Sequence, residues 1–380
     1  NLWHCYLTWL LMTNENSFTR TCERVGPKEG SVNHFAKADL GVFRRLFDYS
    51  FDALEADLGI DCFSTLCHYQ AIPKRERMYN RDISQQVRTL CAALEAAPDI
   101  DETFRLVTDY GDAMFRLTTD YYRQYGYGVF AMTRAFRIRR AGEDVEFLPI
   151  SNIDRVMLSD LLGYETQKQE LRRNTEAFLD GLPANNVLLY GDAGTGKSSS
   201  VKAIANEFAA DGLRLVEVKK NQLYQIPALL DSLAQNPLKF ILFIDDLSFS
   251  ANDDNFAALK AILEGSVGGR SQNVVVYATS NRRHLIKETL SDRSGDDIHE
   301  ADTRQELMSL SARFGLTVTF QRPDKVRFEE ILLDLAKQYG VQMPSDQLFI
   351  KGEAFAIRAG GRSPRVARQF IELLSAGVRL

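Results

Sequence analysis

Short apolar strands alternating with helices predict a parallel α/β sheet in the second half of this chain, with helical segments before and after it. Three observations carry that reading. First, NVLLY (186–190), LRLVEV (213–218), KFILFID (239–245), NVVVYAT (273–279) and LTVTF (316–320) are continuously apolar or β-branched, as strands covered on both faces require. Second, helical stretches connect them, which is the alternation that builds a parallel sheet. Third, the pattern before Gly128 and after Phe320 is helical, with apolar residues at helix spacing.

In chain order, NLWHCYLTWLLMT opens the sequence. It is apolar but short, lacks a basic flank, and so makes a poor signal peptide. The chain begins with Asn1 rather than Met, and we read this stretch as a buried helix of a domain cut short. Phe43, Phe47, Phe51, Leu54 and Leu58 fall at helical spacing. A second stripe, Ile83, Val87, Leu90 and Leu94, follows Asp82 as a candidate N-cap. A third carries Phe104, Val107, Tyr110, Met114 and Leu117. All three are read as core packing. VFAMTRAFRIRR, AGED and VEFLPI then predict a hairpin with a Gly-containing turn. SNID, from Ser151, is read as the linker into the sheet.

Composition is that of an ordinary globular protein: 380 residues, 45% hydrophobic and 26% charged, with a net charge of −5. Residues 1–150 carry 18 basic and 21 acidic side chains, and the rest carry 28 and 30. Neither part has the basic excess of a dedicated nucleic-acid binder. The arginines of RAFRIRR, Arg134 to Arg140, are read as a solvated strand face, with a local phosphate-binding patch as the alternative. No apolar run approaches the ~20 residues of a membrane helix, so no membrane insertion is expected. All five cysteines (Cys5, Cys22, Cys62, Cys67, Cys91) lie in the first 91 residues. An odd count without a compact framework fits a reducing cytoplasm. Cys62, Cys67 and His68 do not match a common zinc spacing and are read as free side chains.

The chemistry lies in the sheet region. GDAGTGKS, Gly191 to Ser198, fits G-x-x-x-x-G-K-[ST] and stands between a strand and a helix, the context the motif needs. Gly191, Gly194 and Gly196, with Asp192, Ala193, Thr195 and Ser199 around them, offer backbone N–H groups to phosphate oxygens. Lys197 is expected to reach the β and γ phosphates of ATP, and Ser198 to bind Mg²⁺. The strand FILFIDD delivers Asp245 and Asp246 to the carboxyl edge of the sheet, where ligands bind in open α/β folds. Asp245 suits the Mg²⁺ shell and Asp246 the attacking water. Asp246 is shorter than a glutamate by about 1.5 Å, one carbon–carbon bond. Asn281, at the end of YATSN, can touch both phosphate and water. Arg313, in LSARFGL, either complements a helix dipole or projects as an arginine finger. Arg365, after Pro364 in GGRSPRVARQF, is either a phosphate contact or a surface arginine.

In this order these segments resemble the AAA+ ATPases. GDAGTGKS looks like Walker A, FILFIDD like Walker B, SNR like sensor 1, SARFGL like the arginine-finger segment, and GRSPRVARQF like the sensor-2 helix of a small helical lid. LSDLLGYETQKQEL resembles the segment ahead of Walker A, which puts Leu162, Gly163 and Tyr164 in the adenine pocket. Taken together with the hairpin, the chain is similar to a bacterial ATP-binding family catalogued as domain of unknown function 815. The resemblance implies a three-layer P-loop core with a five-stranded parallel sheet. It further implies that Asn281 positions water, that Arg365 contacts γ-phosphate in cis, and that Arg313 reaches a neighbouring subunit's ATP.

The expected domains are a helical N-terminal domain (1–127), hairpin and linker (128–154), nucleotide-binding core (155–321) and helical lid (322–380). The expected function is an ATPase that uses Mg²⁺, assembles as a homo-oligomer and acts on a protein partner held by the N-terminal domain. A slow nucleotide switch and a DNA-associated loader are the alternatives. Two departures from the family pattern bear on the choice. Walker B ends in Asp-Asp rather than Asp-Glu. The region where unfoldases carry a Gly-containing pore loop reads KKNQLYQIPALL, without glycine, which argues against polypeptide threading.

Overall fold

The computed structural model describes residues 2–25, 31–61, 81–96, 108–142, 144–150, 154–234, 236–248, 259–260, 263, 272–281 and 312–378. Cys62, Cys67, His68, Phe104, Val107 and the polar segment 291–302 lie outside them. So do residues 151–153 of the linker.

The N-terminal helices are α1 (Leu2–Thr13), α2 (Ser17–Val25), α3 (Ser31–Phe47), α4 (Asp52–Leu58), α5 (Arg81–Glu95), α6 (Thr108–Tyr125) and the short α7 (Val129–Met132). Leu7, Leu11, Met12, Leu40, Phe47, Val87, Leu90, Leu94, Met114 and Tyr122 pack into one core. Two local expectations are corrected. The stripe from Phe43 to Leu58 is two helices, not one: α3 stops at Phe47, α4 restarts at Asp52, and Leu58 is exposed. Asp82 is the second residue of α5, not its cap.

VFAM is also corrected, from strand to the helical turn α7. The hairpin itself is β1 (Ala135–Ala141) and β2 (Asp144–Pro149), antiparallel, turning at Gly142 with φ 68°. It is not separate from the sheet that follows. β1 pairs in parallel with β4 (Leu213–Glu217), Ala135 opposite Leu215. The sheet is therefore seven-stranded, in the order β2-β1-β4-β5-β6-β3-β7, where five strands were expected. The other strands are β3 (Val187–Gly191), β5 (Lys239–Ile244), β6 (Val274–Ser280) and β7 (Leu316–Phe320). The physical reason is edge protection. β4 would otherwise end the parallel set with unpaired backbone groups, and the hairpin covers it.

Side-chain alternation shows why the strands read as continuous apolar runs. Phe240, Leu242 and Ile244 of β5 face one core with α10 (Ile226–Leu233). Ile241 and Phe243 face the other, with α8 (Glu165–Leu179) and α9 (Lys197–Glu207). The central strands β3, β4, β5 and β6 are buried on both faces, so period-two polarity is lost there, while β7 and the hairpin keep exposed positions. After β7 come α11 (Lys325–Gln338), α12 (Ser345–Arg358) and α13 (Pro364–Ser375), with their own core of Phe328, Ile331, Leu332, Leu335, Val366, Phe370 and Ile371. Asp324 caps α11 by accepting from the Arg327 N–H, and Ser363 caps α13 by accepting from the Val366 N–H. Leu162 packs against this helical cluster. Among the described residues no helix is long and apolar enough to cross a membrane.

Candidate nucleotide site

Three adjacent strands end at one edge of the sheet and bring the candidate residues together. β6 lies between β5 and β3. β3 ends in Gly191, β5 runs into Asp245 and Asp246, and β6 ends at Ser280, just before Asn281.

Gly191 starts the loop with φ 139°. A Cβ there would lie 2.0 Å from the Phe320 carbonyl oxygen, so only glycine lets β7 approach. The Asp192 N–H donates to that same oxygen at 3.0 Å. Gly194 and Gly196 also hold positive φ, 79° and 97°. Gly196 caps α9, whose first residues are Lys197, Ser198 and Ser199. The N–H groups of this turn and of the helix start form a concavity of the kind that suits an anion.

Lys197 is buried, and its ammonium donates to the carbonyls of Gly191 (2.9 Å) and Asp192 (2.7 Å) and to Asn281 Oδ1 (3.0 Å). Burial lowers its pKa, opposed by the nearby charges of Asp192, Asp246 and Asp245. Asn281 Nδ2 in turn donates to Asp246 Oδ1 at 2.9 Å. One side-chain amide thus joins the loop lysine to the second Walker B aspartate. Ser198 Oγ donates to Asp245 Oδ1 at 2.6 Å, and Thr279 Oγ1 donates to the same oxygen at 2.6 Å. Thr279 Oγ1 also accepts from the Asp246 N–H at 2.9 Å. Asp246 itself sits in left-handed backbone, φ 52°, a region a short aspartate enters more easily than most residues.

A cavity of about 200 Å³ adjoins the loop. Leu162, Gly163 and Tyr164 line one wall, Gly194, Thr195, Gly196 and Ser199 another, and Ile331, Pro364, Arg365 and Arg368 of the C-terminal helices a third. Tyr164 has φ 61°, tilts against Phe320 at 5.2 Å, and donates its hydroxyl to the Gln321 carbonyl at 2.7 Å. Arg365 meets the loop through its backbone, its N–H donating to the Gly194 carbonyl at 3.2 Å. Its charge is also felt at Lys197.

Arg313 is not brought to this cluster. It lies three residues ahead of Leu316, which pairs with Val187 at the start of β3. The loop begins at the other end of that strand, about 13 Å further on at ~3.3 Å per residue. The RAFRIRR arginines find partners inside the fold: Arg137 pairs with Glu217 at 2.9 Å and Arg139 with Glu146 at 2.7 Å. Sequence reading missed Thr279, whose hydroxyl orients Asp245 and holds the backbone of Asp246. A hydroxyl at the end of the strand beside Walker B was the available signal. It also missed Arg322 and the carboxylate of Asp192, for which the sequence offers none.

For Mg²⁺ the donors present are hard oxygens, the Ser198 hydroxyl and the Asp245 carboxylate. Among the described residues no group of three or more His, Cys, Asp or Glu side chains is placed to hold a metal. Few protein oxygens beside a phosphate-binding loop is what Mg²⁺ uses, since it keeps several waters and takes substrate phosphates as ligands. The site fits that ion.

Residues 131–378 match the model of the family described as "Protein of unknown function (DUF815)". Among curated proteins, the chain is 29% identical over 238 residues to the 26S proteasome regulatory subunit 6B homolog of Schizosaccharomyces pombe, covering 50% of this chain and 61% of that one. It is 28% identical over 210 residues to the ATP-dependent zinc metalloprotease FtsH of Thermobaculum terrenum, covering 47% and 29%. The chain thus spans 61% of the first of these relatives and 29% of the second, less than two thirds of either. Among solved structures, the RuvB Holliday junction branch migration motor of Thermotoga maritima matches at 19% identity with TM-score 0.39, over 58% of this chain and 66% of that chain.

Proposed function

The chain belongs to the DUF815 family of AAA+ ATPases, and from that premise we propose that it binds Mg-ATP between core and lid and hydrolyses it. The observation that carries this is the Asn281 amide, which accepts from Lys197 and donates to Asp246. It supports the reading because Lys197 and Asp246, the residues we assign to phosphate and to water, flank one amide.

The reading assigns each residue a task. Loop N–H groups and Lys197 hold the β and γ phosphates, and the charge of Lys197 offsets the negative charge that develops as the γ-phosphoryl leaves. Ser198 and Asp245 would hold Mg²⁺, which supplies further charge neutralisation to the phosphate oxygens. Asp246 orients water in line with the γ-phosphate, and Asn281 keeps that carboxylate in place. Leu162, Gly163 and Tyr164 enclose the base. Arg365 approaches the γ-phosphate from the lid. Arg313, remote from its own loop, acts on the ATP of a second copy, so the working form is a homo-oligomer. The N-terminal helices bind a protein partner. The name of the FtsH relative supports the ATP dependence. Its proteolytic part is not carried over, because only 29% of that protein is matched.

The test is steady-state ATP hydrolysis over a range of protein concentrations, with Lys197→Ala as blank and Arg313→Ala alongside. Turnover per subunit that rises with concentration and collapses in Arg313→Ala is expected. Turnover that is equal at all concentrations would remove the trans finger. A second reading, a switch that binds ATP and turns over slowly, is favoured by one observation: the Asp246 carboxylate is short and already engaged by Asn281. Tight binding without turnover at any concentration would select it.

A further inference from the structure

The four residues between β7 and α11 tie the phosphate loop to the lid through Arg322. Its N–H donates to Asp192 Oδ2 at 3.0 Å, and its Nε lies 3.6 Å from Asp192 Oδ1. Its Nη1 donates to the Gly360 carbonyl, in the turn between α12 and α13, at 2.9 Å. A Cβ on Gly361 would lie 2.3 Å from that Nη1, so a glycine leaves room for the guanidinium. The neighbouring carbonyls are also engaged. Thr319 accepts from Gln167, Phe320 from the Asp192 N–H, and Gln321 from Tyr164. One short segment thus touches the phosphate loop, the wall of the base cavity and the lid.

We propose that Arg322 is a positioning residue that clasps the lid to the phosphate loop through Asp192 and thereby sets the rate of nucleotide release. This rests on the ATP-binding reading above. The β7–α11 segment is the covalent link from the sheet to the lid, and Arg322 lies in it. Its guanidinium holds a carboxylate of the loop on one side and a lid carbonyl on the other. Opening the lid must break one of these contacts. A closed lid keeps Pro364 and Arg365 over the cavity, and the ligand cannot leave past them. The clasp is half exposed, so its contribution is modest and it acts as a latch that opens on each cycle.

The experiment is stopped-flow binding and release of a fluorescent ADP analogue by the full chain. In Arg322→Ala the backbone bond to Asp192 remains and only the side-chain arms are lost. Release should quicken about three- to tenfold, the worth of a half-exposed ion pair plus one hydrogen bond, while the association rate stays within about twofold. Arg322→Lys, with one point charge in place of a fork, should fall between. In Asp192→Ala/Arg322→Ala release should quicken by less than the product of the two single-variant effects, because both remove one contact. A purely structural loss would instead slow association or abolish binding. If the wild type binds the analogue and Arg322→Ala releases it at the wild-type rate, the clasp is overturned and the ATP-binding reading stands. If the wild type binds no nucleotide, that reading fails and the clasp falls with it.

Discussion

Asn281 Nδ2 donates to Asp246 Oδ1 at 2.9 Å, while Asp246 holds φ 52°. The backbone conformation and the side-chain bond belong together. The left-handed turn after β5 aims a short carboxylate at the end of β6, within hydrogen-bond reach of Asn281. Aspartate tolerates this backbone better than glutamate does. Asp246→Asn keeps shape, backbone and an oxygen for Asn281, and removes only the charge. If Asp246 orients the attacking water, turnover should fall at least about 100-fold with nucleotide affinity changed less than about twofold. Asp246→Glu should lose stability by about 1 kcal/mol and gain no activity. Parallel nucleotide titrations and turnover assays check both.

Gly191 and Gly196 give a matched pair. Both hold positive φ, but a Cβ at Gly191 meets the Phe320 carbonyl at 2.0 Å, whereas nothing lies within 4 Å at Gly196. Gly196→Ala should cost about 1–2 kcal/mol of backbone strain. Gly191→Ala must also push β7 away from β3 and should cost at least about 4 kcal/mol, among the severe single substitutions. Urea unfolding of the two variants separates clash from strain.

How much of this was legible in sequence depends on where each signal resides. The central parallel strands could be read because burial on both faces leaves a continuous apolar run, as in KFILFI. The loop could be read because glycines, Lys197 and Ser198 are chemically specific at fixed spacing. The hairpin could be read from its turn, but its place in the sheet could not, because β1 joins β4 through backbone bonds that any sequence can make. The break after Phe47 was hidden because its stripe continues in register into α4. Arg322 and the Asp192 carboxylate were hidden for a common reason. Each works through groups distant in the chain, and nothing beside it in sequence marks the partner.

Tyr164 gives the fold a specific pH dependence. Burial pushes its phenol up to about 12 from the ordinary value of 10, with the Asp192 charge adding and Arg327 opposing. A raised pKa means the unfolded chain ionises first. The contribution of Tyr164 is therefore whole below pH 10 and is lost as the pH climbs through about 12. Tyr121, Tyr122 and Tyr277 are raised by burial as well, so stability should fall steadily above pH 10. Phenolate absorbance of the folded chain should show a delayed group of tyrosines, and Tyr164→Phe should remove one that titrates near 12. It should also make the alkaline loss of stability shallower.

Arg214 is the remaining test, and it concerns how the N-terminal helices are held to the nucleotide core. It lies in β4, 1% exposed, between apolar neighbours. Its guanidinium donates to four carbonyls: Tyr125 at the end of α6, Phe130 in α7, and Ala209 and Leu213 in the core. No carboxylate is among these partners. Burial pulls the pKa down to about 10, so the charge is held at a cost that the carbonyls offset. Arg214→Met would fill the space and remove that cost, yet leave buried carbonyls without donors. Each such group costs about 1–3 kcal/mol, so a net loss of about 3 kcal/mol is expected. Arg214→Lys has three donors, not five, on a flexible stem, and should lose about half as much. The N-terminal core and the sheet cores are separate clusters, and Arg214 joins them through Tyr125 and Phe130. Calorimetry of Arg214→Met should therefore show the N-terminal helices melting ahead of the sheet. A variant that melts as one unit at the wild-type temperature would mean that other contacts, such as Gln124 to the Ala210 carbonyl at 3.3 Å, suffice to hold the two parts together.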